Sequence, residues 1–132
     1  MRLISKTVSI RVPPALVYRA LKDTRLEQLF PEFFIGVTRK LSIDKVNEEL
    51  AFKTNTQDGQ IEIIEIFRLV ISGSNNTNVL YTTQTNVDGD IAIESILRTH
   101  IANILYSLLM LETGYVNGLM EKNDGHTKYE PR

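Results

Sequence analysis

The chain has 132 residues, enough for one hydrophobic core and too few for two. Hydrophobic residues make up 42% and charged residues 23%, as in ordinary globular domains, and a net charge of −1 argues against a general nucleic-acid binder, which needs surplus cations to displace phosphate counterions. Cysteine is absent, so disulfides, thiolate catalysis and Cys-based zinc sites are excluded; with only His100 and His126, far apart, no metal and no cofactor is expected.

The N-terminal residues Met1 to Lys6 lack the apolar core of a signal peptide, and no 18 apolar residues run together. The expectation is a cytoplasmic protein without integral membrane association. Its oligomeric state is left open by the sequence. Residues 1–122 read as one domain and 123–132 as a polar tail.

From Leu3 to Val12 the residues alternate, with Ile4, Val8, Ile10 and Val12 on one face, which predicts a half-buried strand. Lys6 breaks the apolar phase. Pro13-Pro14 ends the strand and opens a helix, since proline loses no hydrogen bond in a first turn. Leu16, Val17, Ala20 and Leu21 give that helix an apolar stripe to Lys22. A second short helix is expected from Thr24 to Leu29 or Phe30, stopped by Pro31.

Four extended runs follow. Phe33 to Ile43 carries Phe33, Ile35, Val37, Leu41 and Ile43 on one face, interrupted by Arg39. Glu49 to Asn55 carries Leu50 and Phe52. Ile61 to Ile71 is apolar on both faces at its centre, which marks a central strand. Val79 to Val87 keeps Val79, Tyr81, Thr83, Thr85 and Val87 in phase. The turn-like connectors 44–47, 57–60 and 72–76 are short, which requires antiparallel hairpins.

From Ile91 to Met120 the period becomes helical, a length of roughly 40 Å. Ile93, Leu97, Ile101, Ile104, Leu105, Leu108, Leu111, Tyr115 and Leu119 fall on one arc, widened by Leu109 and Val116. Gly114 and Gly118 face away from it, where fraying is the simpler account. An amphipathic helix of this length must cover the apolar face of the sheet. The predicted fold class is α+β: a curved antiparallel sheet gripping a long C-terminal helix, with two short helices after the first strand.

At this point the chain resembles the Bet v 1/START-like (helix-grip, polyketide-cyclase-like) superfamily. Val8-Ser9-Ile10-Arg11-Val12-Pro13-Pro14 looks like its opening strand and turn. Ala15-Leu16-Val17-Tyr18-Arg19-Ala20-Leu21-Lys22-Asp23 looks like its first helix, with Leu26 to Pro31 as the second. Small uncharacterised archaeal members thought to bind fatty-acid-like ligands look most similar. The chain departs from the family in having five clear strands, fewer than usual, and Asp58-Gly59 as a simple turn where plant members carry a glycine-rich loop. The resemblance implies a hydrophobic cavity for lipids, sterols or polyketides between sheet and helix.

Residues expected to line that cavity are Arg39, Phe52, Ile63, Glu65, Phe67, Tyr81, Thr83, Ile101, Leu105, Leu108, Glu112 and Tyr115. The polar ones carry most information, because an unpaired buried charge costs several kcal/mol. Arg39 has the forked guanidinium that suits a ligand carboxylate, or it snorkels outward. Glu65 faces the cavity, or a bulge turns it out. Glu112 lies within the helix arc, or reaches solvent near the helix end. His100 sits at the arc's edge, where a structural histidine is the plainer reading than a general base. The expected partner is a hydrophobic small molecule such as a fatty acid. The alternatives are a small cyclase or dehydrase using His100, Glu112 or Glu65, or a protein-interaction domain; no catalytic residue is assigned.

Overall fold

The computed structural model describes residues 2–23, 38–55, 60–86 and 91–125, with backbone alone at 2, 38, 39, 91–93, 96 and 119–125. Five strands and two helices follow in the order β1 (Arg2–Ile10), α1 (Pro14–Asp23), β2 (Thr38–Lys45), β3 (Glu49–Asn55), β4 (Glu62–Gly73), β5 (Asn76–Thr85) and α2 (Ile91–Gly125). The strands form one curved antiparallel sheet in the order β1-β5-β4-β3-β2. The first strand thus pairs with the last, a return that the α1 excursion makes possible. The second short helix expected over 24–30, and residues 33–37 of the third extended run, lie outside the described residues.

Local chemistry sets the connections. The Pro13 carbonyl accepts from Leu16 N–H (3.0 Å) and Val17 N–H (3.2 Å), so α1 starts on the proline pair. Between β2 and β3 the Glu48 N–H donates to Lys45 O (2.9 Å), and Asn47 takes φ 62° at the third turn position, which asparagine tolerates. The β4–β5 hairpin closes through Ser74 and Asn75 alone, so both strands extend further than the alternation of apolar residues predicts.

One expectation is corrected by a bulge. Leu41 pairs with Phe52 but Ile43 with Ala51, so the two do not continue one face across Ser42. Leu41 is exposed, and the Ser42 hydroxyl donates to Ala51 O (3.2 Å).

The core lies between the inner face of the sheet and the two helices. Leu50, Phe52, Phe67, Leu69, Val79 and Tyr81 meet Val17, Tyr18 and Leu21 of α1 and Ile101, Ile104 and Leu108 of α2. On α2 the buried positions Leu97, His100, Ile101, Ile104 and Leu108 follow the three-and-four spacing of one helix face. Leu109, assigned to that arc by sequence, is instead exposed with Tyr106 and Met110. The helix also runs past Gly114 and Gly118 to Gly125, so neither glycine ends it. Among the described residues no helix is long and apolar enough to cross a membrane.

A polar clamp ties α1 to β2. Tyr18 OH donates to Asp44 Oδ1 (2.5 Å), and Lys22 Nζ reaches Asp44 Oδ2 (2.9 Å) and Tyr18 OH (3.2 Å). Hydrogen bonds from Lys22 and then Tyr18 hold the Asp44 carboxyl below its ordinary pKa. The Asp44 and Tyr18 oxygens raise that of Lys22. A depressed carboxyl stabilises the fold above its unfolded pKa, and that contribution fades as pH falls through the folded value. A raised ammonium stabilises below its unfolded pKa and loses its contribution as pH climbs through the folded one. The clamp is therefore at full strength between about pH 4 and about pH 10. Urea titrations are expected to show Asp44→Asn losing less stability than the native chain between pH 5 and pH 3, about the ordinary carboxyl value.

Candidate functional site at the sheet–helix interface

The site is built on the registers of β3, β4 and β5. Phe52, Glu65 and Thr83 form one cross-strand row, continued by Ile4 of β1. Leu50, Phe67 and Tyr81 form the next. Alternate β4 residues Ile63, Glu65, Phe67 and Leu69 are all buried, so no bulge turns Glu65 outward. A carboxylate therefore sits in the middle of an apolar face.

Two side chains answer it, and a third stands opposite. Glu65 Oε2 accepts from Tyr81 OH (2.6 Å), diagonal to it across the strand pair, and contacts His100 Nε2 from α2. Glu65 is 3% exposed, and Tyr81 and His100 are each 1%. The third is Thr83, opposite Glu65 in register and 2% exposed, whose hydroxyl has no hydrogen-bond partner. Buried Thr54 and Thr85 extend this polar end of the inner face. Its aromatic floor is Phe67, edge-on to Phe52 at 6.1 Å and tilted over Tyr81 at 4.8 Å.

The expected lining residues separate into three places. Phe52, Ile63, Glu65, Phe67, Tyr81 and Thr83 share the inner face, and Ile101 and Leu108 are buried on α2 with Leu105 half-buried beside them. Arg39 pairs with Thr54 along β2, and only its backbone is described. Glu112 belongs elsewhere: its carboxylate accepts the Arg11 backbone N–H (2.7 Å) and lies 3.4 Å from Arg11 Nε, fastening α2 just beyond the end of β1. Tyr115 looks into a different concavity.

That concavity is an open groove of about 480 Å³ between α1 and α2. Leu16 and Ala20 form one wall; Met110, Leu111, Gly114 and Tyr115 form the other. Arg19 and Asp23 stand along its rim.

What the lining set lacked was His100 as the partner of Glu65. Each stood out as a polar residue on or beside an apolar face, but periodicity cannot show that positions 35 apart will touch. Among the described residues no three His, Asp or Glu side chains are grouped as metal ligands would be.

No family model and no curated protein matches the chain. Solved structures do. An HSP90 activator from Plasmodium falciparum is similar over 84% of this chain and 96% of its own, with TM-score 0.62 and 13% identity. The Aha1 dimer from Colwellia psychrerythraea is similar over 86% and 98%, with TM-score 0.62 and 16% identity. A START superfamily protein from Mycobacterium smegmatis is similar over 83% and 98%, with TM-score 0.55 and 12% identity. At these identities the likeness is one of fold, and it is the helix-grip architecture that the first quarter of the sequence resembles.

Proposed function

We propose that this protein binds an apolar small molecule carrying one polar end, held between the inner face of the sheet and α2. One observation carries the reading: a polar set of Glu65, Tyr81, His100 and the unsatisfied Thr83 hydroxyl, buried in a face that packing alone would make apolar. A buried polar pair is a poor stabiliser compared with apolar residues of the same volume, so its presence calls for another use. The fold does not decide the matter, since an HSP90 activator and a START superfamily protein share it.

The chemistry of the set narrows the polar end. Thr83 offers one donor and acceptor, and Glu65 a carboxylate that repels another anion. A hydroxyl or other neutral end fits here better than the carboxylate of a fatty acid. A carboxylate would need a cation such as Arg39, whose backbone pairs with Thr54 of the neighbouring strand.

Native mass spectrometry with a matched panel tests this: a long-chain alcohol, the fatty acid of the same length, a sterol and a fused-ring phenol. The expected result is retention of a neutral member, weakened about tenfold by Thr83→Val, the scale of one lost hydrogen bond. Retention of none contradicts the reading. Tight retention of the acid alone, lost in Arg39→Ala, overturns the orientation.

A second reading rests on the contact between Glu65 and His100. Two acid–base groups within hydrogen-bond reach are the minimum for proton transfer on a bound substrate. It predicts a chemically altered ligand after incubation, with the change abolished in His100→Gln.

A further inference from the structure

Two polar contacts fix the line of α2 across the sheet. His100 meets Glu65 on β4, and Glu112 accepts the Arg11 N–H just past the end of β1. The helix between them is about 18 Å long, while β4 and β1 lie two strands, about 10 Å, apart. The helix therefore crosses diagonally, close to β1 at Arg11 and drawn away from it towards the start of that strand. Burial on the inner side of β1 follows the divergence. Ile10 is 1% exposed, Val8 and Ile4 are half-buried against the core, and Lys6 between them is exposed.

Lys6 is thus a cation at the margin of the interior site. It stands opposite Tyr81 in register, on the side of β1 that carries Ile4 and Val8. It has no ion-pair partner among the described residues. The buried acid of this face, Glu65, already takes Tyr81 and His100, so Lys6 is not spent on neutralising it. The unsatisfied Thr83 hydroxyl is its diagonal neighbour across the β1–β5 pair, with Cα atoms about 7–8 Å apart. One unanswered donor lies deep, at 2% exposure, and one at the rim.

We propose that Lys6 is the cation at the mouth of the interior site, and that the ligand is an apolar anion carrying a hydroxyl, its hydroxyl inward on Thr83 and its anionic group outward on Lys6. The proposal rests on the interior reading above and adds the ligand's second polar group. Charge sets which end goes in. An anion at Thr83 lies opposite Glu65 in register and is repelled, whereas at the rim it meets an ammonium. The lysine stem is flexible, so Lys6 selects for charge and only loosely for the distance between the two groups.

Isothermal titration of the full chain with four matched probes tests it: octanol, octanoate, octanediol with a hydroxyl at each end, and ω-hydroxyoctanoate. The native chain is expected to bind ω-hydroxyoctanoate most tightly. Lys6→Gln should weaken that binding about threefold to fivefold, the scale of one exposed charge contact, and Lys6→Glu should weaken it further. Neither should change the affinity for octanediol, which also reports that the variants are folded. Thr83→Val should weaken both hydroxyl-bearing octyl chains that fill the inner end, the diol and the hydroxy acid, and leave octanoate unchanged. High salt should shrink the preference for the hydroxy acid over the diol. Equal affinity for those two, with neither sensitive to Lys6→Glu, overturns the proposal and leaves the interior reading standing. Binding of none of the four also overturns it, and the long-chain alcohol then decides whether the interior reading falls with it. A lysine on an edge strand also discourages pairing with another strand. Self-association of Lys6→Gln with unchanged binding of the hydroxy acid would assign Lys6 to that role and overturn the proposal.

Discussion

Replacing His100 by Leu is expected to lower the unfolding free energy by about 3–5 kcal/mol, measured by urea denaturation. The side chain is 1% exposed, and its Nε2 meets a carboxylate that is 3% exposed. Removing the histidine leaves the Glu65 charge buried with one answering donor fewer, and desolvation is no longer offset. The companion variant makes the argument specific. Glu65→Leu, Tyr81→Phe and His100→Leu together replace the polar set by apolar groups of similar volume. That triple variant should be more stable than His100→Leu alone, because the Glu65 carboxyl is then no longer buried without the histidine beside it. It should also lose affinity for a ligand with a polar end. Stability and binding would move in opposite directions, the result expected if the set is kept for recognition and not for packing. A triple variant less stable than the single would show that the polar contacts themselves hold α2 to the sheet.

Phe67→Ala is the other large effect, expected to cost about 3–5 kcal/mol by the same measurement. Phe67 is 1% exposed and lies on the central strand β4. Its ring is the middle of three, between Phe52 and Tyr81. The cavity left behind adds to the lost transfer energy, since neighbours on two strands cannot collapse into it. Phe67→Leu keeps most of the volume and should cost much less, about 1.5 kcal/mol or below.

These two residues show how far the sequence could be read. Phe67 was legible because it lies in phase with Ile63 in a run apolar on both faces at its centre, which marks a central strand without knowledge of its neighbours. Alternation bounded β3 at Glu49 and Asn55, where polar turns interrupt it. The hairpin end was not legible: Ser72 to Asn76 carries no apolar pattern, yet two residues suffice to close the turn. The shared face of Leu41 and Ile43 was lost to a one-residue bulge that no periodicity announces. Glu112 lay in the helix arc by angle, but its partner is the Arg11 backbone, and backbone partners leave no mark on side-chain spacing. Leu109 shows the limit of a helical wheel. The arc has an angular width, but the breadth of helix that the sheet covers is a property of the assembled fold.

The central claim is that the polar set under α2 receives the polar end of an apolar ligand. Titrating the labelled full chain with a long-chain alcohol, followed by amide NMR, tests it most directly. Saturable shifts should centre on Glu65, Tyr81, Thr83, His100 and Ile104, and Thr83→Val should weaken them. Shifts confined to the groove residues Leu16, Ala20 and Gly114, or no saturable shift with the alcohol, acid, sterol or phenol, would contradict it.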